Sequence, residues 1–188
     1  MSMKTRIGII AIAVGALAGN AALAADNAFY VGGSLGQARA NFDTAGATAN
    51  VGSAVTNSDG VYKIYGGYQF HKNFSVEGTY INLGSYTTIN SRTIEPAGWG
   101  IGLVGAWPIG NDFSVLARLG EYRIRQKMNP QGVADNSWSP DFGAGLRYDF
   151  NANLSARAEI ERIQKMGNNT NTVRNDSTVY TFGLGYKF

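Results

Sequence analysis

Cysteine is absent from the 188 residues, which removes disulfides, thiolate nucleophiles and cysteine-ligated metals from consideration. His71 is the single histidine, so no second imidazole exists for a transition-metal site. Beyond the N-terminus no apolar run approaches the roughly 20 residues that a membrane-spanning helix requires. Neither sign of charge dominates: 16 Lys and Arg stand against 13 Asp and Glu, with no basic run of the kind that engages nucleic acid. Proline is scarce at four, while glycine reaches 25, tyrosine ten and phenylalanine nine. That balance suits extended strands and tight turns, not helices.

The first two dozen residues have the make-up of a secretory signal peptide. Lys4 and Arg6 supply a positive start, Ile7 to Ala18 an apolar stretch, and Ala22-Leu23-Ala24 the small-x-small cleavage pattern. Domain boundaries follow: 1–24 a signal peptide, the alternative being an uncleaved anchor, and 25–188 one domain. Removal of Lys4 and Arg6 lowers the formal charge from +3 to about +1.

After Asp26 the chain falls into eight segments whose hydrophobicity alternates with period two, the signature of strands with two distinct faces. In the last, Tyr180, Phe182, Leu184, Tyr186 and Phe188 share one face, and Val179, Thr181, Gly183, Gly185 and Lys187 the other. The sixth sets Phe142, Ala144, Leu146, Tyr148 and Phe150 against Gly143, Gly145, Arg147 and Asp149; the seventh sets Leu154, Ala156, Ala158 and Ile160 against Ser155, Arg157, Glu159 and Glu161. Earlier strands are expected near Phe29–Arg39, Val61–Phe70, Phe74–Tyr86, Trp99–Ile109 and Phe113–Lys127. Three-residue turns at His71-Lys72-Asn73, Gly110-Asn111-Asp112 and Asn151-Ala152-Asn153 alternate with longer connections at Ala40–Gly60, Thr87–Gly98, Met128–Asn136 and Gly167–Asp176. Outer-membrane barrels place short turns in the periplasm and longer loops outside, with an even strand number. The expected fold is therefore all-β: an eight-stranded antiparallel up-and-down transmembrane barrel in a Gram-negative outer membrane.

A soluble lipocalin-like barrel would alternate in the same way, turned inside out. Three features favour lipid on the aromatic face. Glycines share their face with the charges, as suits the crowded interior of an eight-stranded barrel. Aromatics gather near the short turns (Tyr68, Phe70, Phe74, Trp107, Phe113, Tyr148, Phe150), and Tyr86, Trp99 and Trp138 lie toward the other end, as two interfacial girdles would require. The chain also ends on alternate apolar residues and a terminal Phe188, a pattern that resembles the signal by which the barrel-assembly machinery recognises its clients.

The stretches Phe29-Tyr30-Val31-Gly32-Gly33-Ser34-Leu35-Gly36, Gly66-Gly67-Tyr68-Gln69, Val76-Glu77-Gly78-Thr79-Tyr80, Trp107-Pro108-Ile109, Ala117-Arg118-Leu119-Gly120 and Gly143-Ala144-Gly145-Leu146-Arg147-Tyr148 give the chain its family likeness. It resembles the OmpA-type transmembrane barrel in its short form, without a peptidoglycan-binding domain, and more loosely the OmpX and opacity-type barrels. The resemblance covers essentially the whole mature chain. It implies that inward charges form a salt-bridge cluster which plugs or gates the lumen, with Glu77, Arg118, Arg157 and Glu159 at matching positions. Two departures stand out: Val104 occupies an inward position where the family can place a lysine, and Arg147 one where an acid is usual.

The lumen candidates are thus Glu77, Arg118, Arg147, Arg157, Glu159 and Glu161. Arginine beside carboxylate in a confined space makes charge-assisted hydrogen bonds, and buried charges have to be paired. Gly100-Ile101-Gly102-Leu103-Val104-Gly105 spells a dinucleotide fingerprint, but that motif needs a helix after it, and Pro108 follows within a strand. His71 falls in a turn without an evident nucleophile. No catalytic site, cofactor or metal is expected. Expected partners are outer-membrane lipid and lipopolysaccharide, the assembly machinery and a host or surface ligand at the loops. The leading functional expectation is a structural envelope protein with a filled lumen; an adhesin acting through its loops and a small-solute pore gated by lumen charges are the alternatives.

Overall fold

Strands of alternating polarity need a second surface to cover one face and a partner for every edge, and closure of the sheet satisfies the edges. The computed structural model describes residues 27–42, 60–87, 93–110, 112–129, 134–166 and 175–188. The signal-peptide assignment and most of the first loop lie outside these residues.

Among the described residues nine strands follow one another: β1 (Ala28–Phe42), β2 (Val61–His71), β3 (Phe74–Asn82), β4 (Tyr86–Thr87), β5 (Thr93–Pro108), β6 (Phe113–Asn129), β7 (Ala134–Asp149), β8 (Leu154–Met166) and β9 (Asn175–Lys187). They form one antiparallel sheet in the order β3-β2-β1-β9-β8-β7-β6-β5-β4, and β3 also pairs with β5, which closes the cylinder. β1 runs against β9 from Tyr30↔Lys187 to Phe42↔Asn175, so the first and last strands seal the seam. β3 and β4 are two parts of one crossing, giving eight in all. The single strand expected over Phe74–Tyr86 is interrupted because Gly84 adopts φ 78°, a left-handed conformation that glycine tolerates, and its backbone N–H donates to Asn82 Oδ1 at 2.9 Å.

Several strands run further than alternation indicates. β5 starts at Thr93 where Trp99 was expected, and β7 starts at Ala134, inside a segment read as loop. These extensions pair polar residues, such as Arg125↔Asn136 and Gln126↔Asp135. The outward face of these extensions carries polar residues such as the exposed Glu95 and Asn136 where alternation leads one to look for apolar ones, and ladder hydrogen bonds hold the strand all the same, so period-two reasoning passes over it.

The short turns hold themselves with side-chain caps. Asn151 Oδ1 accepts from the N–H groups of Asn153 and Leu154 at 2.9 and 2.8 Å, an Asx turn. Asn73 Nδ2 donates to the Ala106 carbonyl at 2.6 Å, and His71 Nδ1 accepts from the Asn73 N–H at 3.3 Å. The sole histidine is therefore part of turn geometry.

The faces sort as expected. Phe29, Leu35, Ile101, Leu119, Phe142, Phe182 and Leu184 are exposed on the outside of the cylinder, while Ser34, Lys63, Glu77, Arg118, Asp141, Arg157, Glu159 and Glu161 are buried within. Apolar outside and charged inside is the reverse of a water-soluble barrel. Aromatic pairs mark the turn end, with Phe74 against Trp107 and Phe113 against Tyr148; Tyr80 packs at a tilt against Trp99 toward the loop end.

Candidate functional site

The interior has three levels. Toward the loop end Ala38, Val61, Ile81, Leu83, Ile124, Ile163, Met166 and Val179 fill the cylinder as one apolar cluster, with the Tyr122 ring as its floor. Below it lies a charge network. At the turn end a cavity of about 380 Å³ is lined by Tyr30, Tyr65, Ser75, Arg147, Asp149 and Arg157 among others.

Glu77 on β3 is the hub of the network and is fully buried. Its Oε1 accepts from Arg118 Nη1 at 2.7 Å and its Oε2 from Arg157 Nη1 at 2.8 Å. The hydroxyls of Tyr30 and Thr79 also donate to it, at 3.2 and 3.4 Å. Arg118 Nε continues to Asp141 Oδ2 at 2.8 Å, and Arg157 Nη2 to Glu159 Oε1 at 2.9 Å. Lys63 Nζ lies between Glu159, at 2.5 Å, and Glu161, which it also contacts directly. Glu161 accepts from the Tyr122 hydroxyl at 3.2 Å, tying the charges to the apolar level. The Arg157 guanidinium stacks 3.7 Å from the Tyr65 ring centroid, a cation–π contact strengthened by exclusion of water.

Glycine makes room for these long side chains. A Cβ on Gly102 would lie 3.1 Å from Arg118 Nη2, and one on Gly100 would overlap the Tyr122 ring. Gly100 and Gly102, in the stretch that mimics a dinucleotide fingerprint, thus face the lumen from within β5 beside long side chains of β6, while a Cβ on Gly105 would meet the outward Trp107 ring.

Of the residues nominated from sequence, Glu77, Arg118, Arg157, Glu159 and Glu161 come together. Arg147 stands apart: it lines the turn-end cavity and pairs with Asp149 at 3.0 Å in a partly exposed bridge. Lys63 and Asp141 belong to the network and were not nominated. Both lie on the inward phase of their strands, with Val61-Lys63-Tyr65 and Asp141-Gly143-Gly145, so the alternation contained the signal. The lysine that Val104 does not supply comes instead from β2. Tyr180, Phe182, Leu184, Tyr186 and Phe188 form an exposed stripe on β9 and the residue after it.

Comparison with known proteins agrees with this architecture. Residues 9–188 match the outer membrane protein beta-barrel domain. No curated protein sequence matches the chain. Among solved structures, Neisserial surface protein A superposes with a TM-score of 0.65 at 18% identity, over 85% of this chain and 97% of that one. Ail, the attachment invasion locus protein of Yersinia pestis, crystallised with the heparin analogue sucrose octasulfate, gives 0.58 at 15% identity, over 87% and 100%. The N-terminal β-barrel domain of Pseudomonas aeruginosa OprF gives 0.56 at 13% identity, over 85% and 97%. At these identities the likeness concerns the fold. The chain belongs to the outer membrane protein β-barrel family, and it is a multi-pass protein of the Gram-negative outer membrane.

Proposed function

We propose that this barrel is a non-catalytic structural component of the envelope, with a closed lumen and loops presented at the cell surface after removal of residues 1–24. The observation that carries the reading is the fill of the interior. Three cations, Lys63, Arg118 and Arg157, interlock with four carboxylates, Glu77, Asp141, Glu159 and Glu161, all of them buried. An apolar level stands over them, with Ile81, Leu83, Ile124 and Ile163 fully buried. An ion crossing the barrel would have to break the charge network and then pass a level whose described inward side chains are mainly apolar, with hydroxyls such as Ser139 and Ser177 among them, which is costly. The charges support a structural core better than a gate, because rearranged pairing would still leave the apolar level shut. The exposed β9 stripe, from Tyr180 to Phe188, serves in this reading as the signal for the assembly machinery, and outer-leaflet lipopolysaccharide is the surrounding partner. Adhesion would rest on loop segments outside the described residues.

Planar-bilayer recording of the purified protein tests the proposal. The expected result is silence at moderate voltage. Discrete, reproducible conductance steps that change in Glu77→Ala or Arg157→Ala would instead establish a gated pore.

A further inference from the structure

The turn-end cavity lies across the charge network from the apolar level, so it takes no part in sealing the barrel. Its volume of about 380 Å³ falls within the range of small-molecule sites and holds about a dozen waters at about 30 Å³ each. Tyr65 and Arg157 form its buried end, and the exposed turn residues Lys72, Asn151 and Asn153 form its mouth. Glycine keeps the wall back: a Cβ on Gly185 would lie 3.0 Å from Tyr65 Oη and 3.2 Å from Ser155 Oγ.

The charges around this space are lopsided. Lys72, Arg147, Arg157 and Lys187 line it against the carboxylates of Asp112 and Asp149. Arg147 and Arg157 are register partners on β7 and β8, on the second inward rung from the turn at 151–153. Such partners hold their Cβ atoms roughly 4.5–5.5 Å apart, and like charges in that position repel. Arg157 is answered by Glu77 and Glu159, whereas Arg147 has only Asp149, in a partly exposed bridge. Arg147 stands where the family usually has an acid, so the doubled arginine is this chain's own. Lys187 sits at the mouth, its backbone N–H donating to the Asn153 carbonyl at 2.7 Å. Among the described residues neither Lys72 nor Lys187 has a carboxylate within ion-pair distance. Cations therefore occupy two levels, one at the mouth and one deeper.

From this arrangement we infer that the cavity binds a small organic polycarboxylate. One carboxylate takes the Arg147 guanidinium, with Arg157 behind it, and a second takes Lys187 and Lys72 at the mouth. A guanidinium offers paired N–H donors that match the two oxygens of a carboxylate. A single inorganic anion would occupy one level only, while two levels fit a molecule with two or more acid groups. Asp112 and Asp149 share the wall, which favours singly charged carboxylates over phosphate groups carrying nearly two charges each. With the turns in the periplasm, the ligand comes from that side and leaves by it, because the charge network closes the far end. This binding role goes beyond the structural one proposed above.

Isothermal titration of the mature barrel in uncharged detergent, with citrate as the probe at low ionic strength where screening is weak, tests the site. Saturable one-to-one binding is expected. Arg147→Gln is expected to weaken it by about tenfold, the scale of one lost charge-assisted contact, and Lys187→Gln to weaken it in the same direction. Arg162→Gln, whose bridge to Asp176 lies outside the cavity, should bind citrate as the wild type does. The gel shift between unboiled and boiled samples shows that each variant is folded; should Arg147→Gln not fold, Lys187→Gln carries the test. Folded wild type that gives no saturable binding would overturn the site, as would unchanged affinity in a folded Arg147→Gln or Lys187→Gln. Inorganic phosphate binding as tightly as citrate would also overturn it, by pointing to a simple anion.

Discussion

Glu77→Ala is expected to destabilise the folded barrel by about 3–5 kcal/mol, the usual consequence of deleting one partner from a buried ion network. Glu77 answers two guanidinium groups, Arg118 and Arg157, and is itself fully buried. Its removal leaves two largely buried cations with less compensation. Because the network is shared, the change should couple with its neighbours: Arg157→Ala added to Glu77→Ala should cost much less than the sum of the two alone. Arg147→Ala provides the contrast. Its bridge to Asp149 is partly exposed, and the expected loss is about 0–1 kcal/mol. Urea unfolding in lipid vesicles, followed by the gel shift of folded against boiled protein, measures all three. Equal small losses for Glu77→Ala and Arg147→Ala would show that the charges do not hold the interior together.

The second large effect concerns the outside. Leu119 is 68% exposed on the cylinder surface, six residues along β6 from Phe113, and so close to the middle of the apolar band. Leu119→Arg should cost about 2–4 kcal/mol, as a cation at the bilayer midplane does, whereas Ile109→Arg near the turn end should cost about 0–1 kcal/mol. In a water-soluble barrel both substitutions would be surface changes worth about 0.5 kcal/mol or less. The depth dependence carries the information, and the same unfolding assay in bilayers reads it.

Most of the architecture was legible because a strand in a membrane has to declare both of its faces. β9 announces itself through Tyr180, Phe182, Leu184 and Tyr186 alternating with Thr181, Gly183 and Gly185, and β8 through Arg157, Glu159 and Glu161 opposite Ala158 and Ile160. Beyond the band this constraint lapses, which is why the first residues of β5 and β7 were read as loop. Alternation does not show the break at Gly84 for a related reason: it describes side-chain faces, while the interruption is a backbone event supported by glycine and the Asn82 side-chain oxygen.

The candidate site was legible in part. Period two assigns a residue to a face but not to a depth or a partner. Lys63 meets Glu161 across 98 residues of chain, a contact that exists only once the cylinder is closed. A lone lysine near the start of a strand looks, in one dimension, like a solvated end. Asp141 suffered from a strand start placed too late, beginning at Phe142. The apolar level of Ile81, Leu83, Ile124, Ile163 and Val179 is the least obvious feature from sequence, because it puts hydrophobic residues on the face that lower down carries charge. In the proposed reading, that switch along a single face is what closes the lumen.

The most direct test of the account uses the absence of cysteine. Single cysteines placed in turn from Tyr180 to Tyr186 and spin-labelled in bilayers report collisions with oxygen, which dissolves in lipid, and with a water-soluble nickel chelate. The account requires oxygen maxima at positions 180, 182, 184 and 186 and minima between them. Maxima for the nickel reagent at those same four positions would put the aromatic stripe in water and contradict it.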